Sequence, residues 1–558
     1  MLLRRTLRLA IVALAACTPA PATTSTPPAP DAVVRRPRLA IVLVVDQMRA
    51  DYLERYADLY TGGLGRFRNE GAWFTQGRLQ HALSYTAPGH ASVATGSDPA
   101  RHGIIANDWY DRSSRAEIYA AEDPQATPVL TQPTTAILPG RSPRQLERPT
   151  LGDWLKDQEP GARVFSVALK DRAAVLMGGH KPDRAYWYSP EVAGFVSSSW
   201  YAGGAPPPAW VAEFNASGVV FDRFARGWTR SRDIAAYVRS GPDHIAAEAD
   251  GENTRFPHLF DDGTAGSRDA YPRQLLTSPF GDELALRFAR KLISAEQLGA
   301  DDAPDLLMIS CSSADYIGHR YGPFSHEVQD YYLRLDGWLA ELLVDLDQHV
   351  GKDSYVLALS ADHGALPLPE EARLRGHSSA RRVPSAEYRA QTRAVLATTL
   401  NKLGLPDAAV LFLGEDGVWL DLPAAKAAEL RKEVAQALRG LDFVADTFTS
   451  DELAGPVDPQ RPFHANYRRS YFAGRSPDVQ LRFKEWHLVD ALARGTSHGS
   501  PYDYDTHVPV LFFGAGVRQG VHPQRVGTTD VAPTLAELLG IKAPAIDGKS
   551  LAAVVRAR

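Results

Sequence analysis

Four runs of the sequence are apolar and β-branched without a break, and each stands beside a carboxylate or an imidazole. Arg38-Leu-Ala-Ile-Val-Leu-Val-Val-Asp46 ends in an aspartate. Pro304–Ser310 leads into CSSADYIGH, with Asp315 and His319, and Ser354–Ser360 leads into Asp362-His363-Gly364. The fourth, His507–Gly514, follows TSHGSPYDYDTH, with His498. Uninterrupted apolar runs of this length mark strands covered on both faces. Between them lie helical patterns such as Glu327 to Val350, where Tyr331, Leu335, Trp338, Leu342 and Leu346 recur three or four apart. Strands alternating with helices predict an α/β fold, a largely parallel central sheet with helices on both faces. Such sheets bind ligands beyond the carboxyl ends of their strands, so polar residues next to separate strands converge on one rim.

The residues gathered there are Asp46, Asp315, His319, Asp362, His363 and His498, carboxylate oxygen and imidazole nitrogen with no thiolate. Magnesium and calcium favour oxygen alone, whereas mixed His and Asp suits zinc, with manganese or iron as alternatives. Six protein ligands exceed one tetrahedral site and nearly fill two, leaving positions for water, substrate or a hydroxyl. Taken singly, each has a plainer reading: Asp315 and His319 as a helical-turn pair, Asp362-His363 as turn residues.

The stretch SYTAPGHASVATG, Ser84 to Gly96, adds a lone Thr86 before a Pro-containing turn. Its sequence reads as a helix N-cap, the hydroxyl accepting from a free backbone N–H. A cap at a helix N-terminus also presents a hydroxyl beside free N–H donors, where a phosphate binds well.

The formal net charge is −5 over 558 residues, with no long basic block, so no nucleic-acid partner is expected. At the N-terminus, Arg4, Arg5 and Arg8 precede an apolar segment too short to span a bilayer, which reads as an export signal. Leu14-Ala15-Ala16-Cys17 has the pattern of a lipobox, making residues 1–17 a lipoprotein-type signal and Cys17 a candidate for lipidation and membrane attachment; ordinary cleavage to a soluble product is the alternative. Loss of residues 1–16 takes the charge to −8. Residues 18–37, rich in Pro, Ala and Thr, form a linker. Cys311 is the one other cysteine, so no disulfide is expected within the chain, and a buried position is expected for it.

VVDQMRADYL, SYTAPGHASVATGSDPARHGIIANDWYD, ALKDRAAVL, ADYIGHRYGP, SADHG and TSHGSPYDYDTHVPVLFFGAG, in this order, resemble the Thr-nucleophile, phosphate-irrepressible bacterial alkaline phosphatases of the alkaline phosphatase superfamily. The closing VGTTDVAPTLAELLGI…IDGKSL resembles the end of that superfamily's domain, so the resemblance runs from Arg38 to Leu551. It implies two zinc ions per chain, one on Asp315, His319 and His498 and one on Asp46, Asp362 and His363. Thr86 would join the second as an alkoxide, attack phosphorus and form a phosphothreonine that activated water hydrolyses. Asn107, Lys170 and Arg172 would bind the phosphoryl group. The strand Arg163–Leu169 would then end at the same rim. His90, His102 and His507 are read as packing or hydrogen-bonding residues.

Nucleotide pyrophosphatase/phosphodiesterases resemble the same site and share its ligand types. A monoester dianion carries one more charge than a diester, and Lys170 and Arg172 supply matching cations; this favours phosphate monoesters, with the phosphodiesterase as alternative. The sulfatase pattern, Cys or Ser before x-Pro-x-Arg, is absent from Thr86-Ala-Pro-Gly-His90. A third reading is a metal- or phosphate-binding lipoprotein without catalysis. The expected organisation is a catalytic domain of residues 38–370 and 472–558 interrupted by a small α+β cap at 371–471. The cap would hold helices at Tyr388–Leu403 and Ala424–Arg439, a strand at Ala409–Leu413 and a turn at Glu415–Gly417. The expected product is a periplasmic or outer-membrane-anchored monomer acting on small phosphate monoesters.

Overall fold

The computed structural model describes residues 36–556; the signal segment, Cys17 and all but the end of the linker lie outside the described residues. Leu39–Val45 (β1) is the axis of a ten-stranded sheet. Around it lie Val164–Ala168 (β2), Arg184–Ser189 (β3), Asp305–Cys311 (β4), Tyr355–Ser360 (β5) and Val510–Gly514 (β6). The spatial order is Gly520–Gly527, Ala72–Arg78, β6, β5, β1, β4, β2, β3, Gly194–Ser198, Pro128–Val129. The five strands from β5 to β3 are parallel.

The unbroken apolar run of β1 follows from its two covers. Leu39, Ile41, Leu43 and Val45 face one core, shared with the helices Phe280–Ala295 and His326–Leu346. Ala40, Val42 and Val44 face the other, shared with Leu151–Gln158 and Val531–Leu538. A strand with helices on both sides has no polar face to alternate with.

Register places the site. Val45 pairs with Cys311 and Val44 with Ser360, so β1, β4 and β5 stop level and the residues after them meet. β6 differs from its neighbours in direction: it runs antiparallel to β5. Its start therefore lies where parallel strands end, which is why His498 precedes its strand while the other ligand candidates follow theirs.

The inserted subdomain has its own core and a four-stranded sheet, in the order Val410–Leu413, Gly417–Leu420, Val479–Phe483, Val444–Thr449, backed by helices Ser385–Lys402 and Ala427–Arg439. Its third strand lies beyond the expected boundary at Tyr471, and Arg381–Pro384 pairs with His487–Asp490 at the same core, so the unit spans residues 381–490. Antiparallel pairing needs no sequence proximity, and the short alternation Val479, Leu481, Phe483 is the signal that marks this strand.

Leu307 is fully buried at the middle of β4. Leu307→Ala is expected to destabilise the protein by about 2–5 kcal/mol through lost burial and the cavity left behind. The exposed Leu374→Ala should shift stability by less than about 0.5 kcal/mol, both read from urea unfolding midpoints.

Candidate metal and phosphate site

Thr86 opens the helix Thr86–Thr95 (α1), whose ten residues are all buried and which ends at Gly96 in the left-handed conformation. The N-cap is Tyr85, not Thr86, and no side chain caps the helix in the usual way. The capping role expected for the Thr86 hydroxyl is thus corrected: as the first helical residue, its side chain leaves the helix and is free for other partners. Asn107 takes over part of the task, its Oδ1 accepting from Ala87 N–H at 2.9 Å. That bond fixes the amide and leaves its NH₂ to donate elsewhere.

The Thr86 hydroxyl meets two cations. Lys170 Nζ lies 3.5 Å from Thr86 Oγ1 and Arg172 Nη2 3.4 Å from it. Both come from the start of the helix Asp171–Gly178 (α2), which follows β2 and packs against α1. The two helix N-termini, each with a partial positive charge, therefore share one rim; at α1 the Thr86 N–H alone is left over, since Ala87 N–H is held by Asn107 and Gly89 N–H by the Tyr85 carbonyl. Arg172 also meets the Tyr119 hydroxyl at 3.4 Å; that hydroxyl donates to Asp171, which Arg141 holds in turn.

Three aspartates face these cations: Asp46, Asp362 and Asp315, the last on the helix Ser313–Tyr321 (α3); all are buried. Lys170 Nζ bridges two of them, 2.6 Å from Asp46 Oδ2 and 2.5 Å from Asp315 Oδ2. Burial alone would pull the Lys170 pKa down, but the Asp315 and Asp46 charges more than reverse it and hold it above the ordinary lysine value. Burial and the neighbouring Asp362 charge push Asp46 well up. Burial also opposes ionisation of Asp315, but His319 and Lys170 outweigh it and hold the carboxyl well below the usual range.

All three candidate histidines are oriented alike. His363 Nδ1 contacts the Gly364 carbonyl at 2.9 Å, His319 Nδ1 that of Thr496 at 2.7 Å, and His498 Nδ1 that of Ser84 at 2.7 Å. An Nδ1–H donated to a carbonyl leaves Nε2 as a bare lone pair, the form a metal requires. Burial keeps His363 and His498 below the ordinary histidine pKa, whereas at His319 the Asp315 charge and hydrogen bond outweigh burial and raise it.

The orphaned atoms test whether a metal fits. Asp46 Oδ1, Asp362 Oδ2 and His363 Nε2 are buried and without hydrogen-bond partners among the described residues. His363 Nε2 lies 3.5 Å from Asp46 Oδ1 and 3.4 Å from Asp362 Oδ2. On the other side His319 Nε2 lies 3.1 Å and His498 Nε2 3.6 Å from Asp315 Oδ1. Three lone-pair donors converging in a dry site without a proton between them fit a cation.

The tightest groupings cross these sets, joining His363 with Asp315 and His498, and His90 with Asp46 and Asp362. The first reflects the His363 ring stacked on His498, 3.5 Å between centroids. His90 is the weaker ligand candidate because both its nitrogens are engaged, Nδ1 at 2.9 Å from the Thr86 carbonyl and 3.1 Å from Asp362 Oδ2, and Nε2 with Ser310 Oγ at 2.8 Å. His102 and His507 also hold protein groups: Ser92 Oγ at 3.0 Å and the Thr75 carbonyl at 2.9 Å. The sets differ in exposure: Asp46, Asp362 and His363 are fully buried, whereas the His319 side chain is 31% exposed.

Gln47 went unnoticed in the sequence. Its Nε2 donates to Asp315 Oδ1 at 2.7 Å and its backbone N–H to Asp362 Oδ1 at 3.1 Å, so one residue steadies a carboxylate in each set. It does so from a left-handed backbone (φ 65°), an uncommon state for a non-glycine residue. Gly318 makes room for it, since a methyl group there would overlap the Gln47 amide, and one at Gly89 would overlap the Asp362 carbonyl. A glutamine after a strand-end aspartate gives no periodic signal, and neither glycine stands in a turn motif.

The type I phosphodiesterase / nucleotide pyrophosphatase family matches residues 40–478. The chain belongs to this family. Among family relatives it is similar to alkaline phosphatase PafA of Elizabethkingia meningoseptica, 34% identical over 518 residues, 92% of this chain and 93% of PafA. The wild-type PafA crystal structure superposes with a TM-score of 0.86 at 33% identity, covering 94% of this chain and all of that one. A PafA variant with one threonine, one asparagine, one lysine and one arginine replaced superposes with a TM-score of 0.85 at 32% identity, with the same coverage. The alkaline-phosphatase-like fold is therefore that of this chain.

Removing the Gln47 side-chain bond by Gln47→Leu should weaken metal binding about 10–100-fold, the usual effect of losing a partner behind a metal ligand. Competition with a chromogenic chelator measures it.

Proposed function

We propose that this protein is a zinc-dependent alkaline phosphatase that hydrolyses phosphate monoesters through a phosphothreonine on Thr86. The observation that carries this is the placement of Lys170 and Arg172 within 3.5 Å of the Thr86 hydroxyl, beside two sets of convergent metal-ligand atoms. The relationship to PafA supports the reaction class, and the PafA variant alters the same four residue types as the proposed nucleophile and the three side chains around it here.

Asp46, Asp362 and His363 would hold one zinc ion beside Thr86, and Asp315, His319 and His498 the other. Bound there, the metals lower the pKa of an oxygen nucleophile and stabilise charge on the attacking and leaving oxygens. Thr86 Oγ1 attacks phosphorus, a threonine–phosphorus ester bond forms and the bond to the alcohol breaks. Asn107 donates its NH₂ to one phosphoryl oxygen, while Lys170 and Arg172 neutralise the others; the start of α1 adds the backbone N–H of Thr86. Water reaches the phosphothreonine from the side of the solvent-exposed His319, attacks phosphorus and returns the hydroxyl to Thr86. The export signal supports action outside the cytoplasm, at phosphate esters of the periplasm.

The family's phosphodiesterase members give a second reading, which the same two cations disfavour: a diester has one fewer anionic oxygen for them to meet. On p-nitrophenyl phosphate and bis-p-nitrophenyl phosphate, the wild type should prefer the monoester by several orders of magnitude in kcat/KM. Lys170→Ala and Arg172→Ala should each cost about 10²–10³-fold on the monoester and far less on the diester. Equal losses on both substrates would refute the assignment.

Chelation followed by dialysis should abolish turnover and zinc should restore it. Thr86→Ala should lower kcat by at least about 10³-fold with zinc still bound. Metal content by atomic absorption separates the two causes, and undiminished turnover by Thr86→Ala would remove the nucleophile assignment.

A further inference from the structure

The turn that joins the insertion strands Val410–Leu413 and Gly417–Leu420 reaches the start of α1. There the Tyr85 hydroxyl donates to the Asp416 carboxylate, across the seam between the insertion and the catalytic sheet. The turn is braced from behind. Tyr388 and Arg389, on the helix Ser385–Lys402, donate to the Gly414 carbonyl at 2.8 Å and the Leu413 carbonyl at 3.3 Å. Leu481 N–H, from the strand Val479–Phe483, donates to the Asp416 carbonyl at 2.7 Å, and Gly414 N–H to that of Gly417 at 3.0 Å. The insertion's own helix and sheet therefore set the backbone of Asp416 before its carboxylate meets Tyr85.

On the catalytic side that bond holds the middle of the tripeptide Ser84-Tyr85-Thr86. The Ser84 carbonyl contacts His498 Nδ1 at 2.7 Å, and its hydroxyl accepts from Gly499 N–H at 3.1 Å while donating to the Ser500 carbonyl at 2.9 Å. The Tyr85 ring stands edge to face with His498, 5.9 Å between centroids. It lies so close to Gly499, in the left-handed region at φ 123°, that a methyl group there would overlap it. Tyr85 is also the N-cap of α1, its carbonyl accepting from Gly89 N–H at 3.0 Å, so a shift of Tyr85 carries Thr86 with it. The Thr86 hydroxyl then faces Lys170 and Arg172. Three consecutive residues thus set a candidate metal ligand and the nucleophile, and the longest side chain among them is anchored on the insertion.

We infer that Asp416 is a positioning residue: by holding Tyr85 it keeps His498 and the Thr86 hydroxyl in register, so the insertion takes part in building the site as well as in bordering it. Other contacts across the seam act elsewhere. Arg112 pairs with Asp478 at 2.6 Å and donates to the Leu420 carbonyl at 3.2 Å, at the far end of the strand Gly417–Leu420 from Asp416. The inference rests on the Thr86 and metal assignments above and adds the residues that place both.

Tyr85→Phe removes the hydroxyl and keeps the ring on His498; Asp416→Ala removes the acceptor. In the zinc-loaded proteins, kcat on p-nitrophenyl phosphate should fall about 10–100-fold in each, as small displacements of a reacting group do, with KM little changed. The double variant should be no slower than the slower single one, because both changes break the same bond. Chelator competition reads the site without substrate: one of two bound zinc ions should be held about tenfold less tightly in each single variant, the other as in the wild type. Arg112→Ala, which loosens the seam away from the site, should move neither reading. Wild-type kcat and zinc affinity in Tyr85→Phe, additive losses in the double variant, or the same losses in Arg112→Ala overturn the inference. If the wild type turned over neither p-nitrophenyl phosphate nor its diester, the nucleophile reading would fall, and the chelator titration would still decide whether Asp416 sets His498.

Discussion

Three carboxylates, Asp46, Asp315 and Asp362, are buried side by side at the ends of adjacent strands, and most of the architecture around them answers their mutual repulsion. Carboxylates removed from water must be paired or neutralised. Lys170 bridges two of them, and imidazole lone pairs stand opposite their remaining oxygens. One ammonium thus meets two of the buried carboxylates and the Thr86 hydroxyl, and in the proposed reaction it would tie phosphate binding to the charge balance of the metal sets.

The atoms around this cluster are arranged to hold rather than to react. Backbone carbonyls of Gly364, Thr496 and Ser84 set the three histidines, and Gln47 steadies Asp315 and Asp362 together. Rigid strands and the starts of α1 and α2 carry the groups that must be placed accurately, since misplacement by an ångström is expensive in rate. The insertion supplies the other side of the cleft. Its sheet brings the aromatic rings of Phe412 and Trp419 to the seam.

Much was legible in advance because burial on both faces writes itself as an unbroken apolar run, and four such strands were readable, with Arg163–Leu169 implied only by the family resemblance. The ligand residues stood out because each adjoins a run, and topology brings strand ends together. Gln47 was not readable, because its role comes from partners distant in sequence; the strand Val479–Phe483 carries only a short alternation, and its place in the second sheet is set by pairing with residues far away in the chain. Thr86 shows the converse, a local pattern read as a cap that the fold uses otherwise, with Asn107 satisfying the adjacent N–H.

The sequence by itself determined the class of fold, the donor types at the rim and the presence of a threonine beside a helix start, since hydrophobic pattern and side-chain chemistry are local properties. Only the tertiary structure decided that β6 runs backwards and so delivers His498 from its start, that His363 keeps a free lone pair where His90 does not, and that Lys170 reaches Asp46, Asp315 and Thr86 together. Direction, tautomer and field are set by contacts between residues far apart in the chain, and a linear sequence carries no measure of those distances.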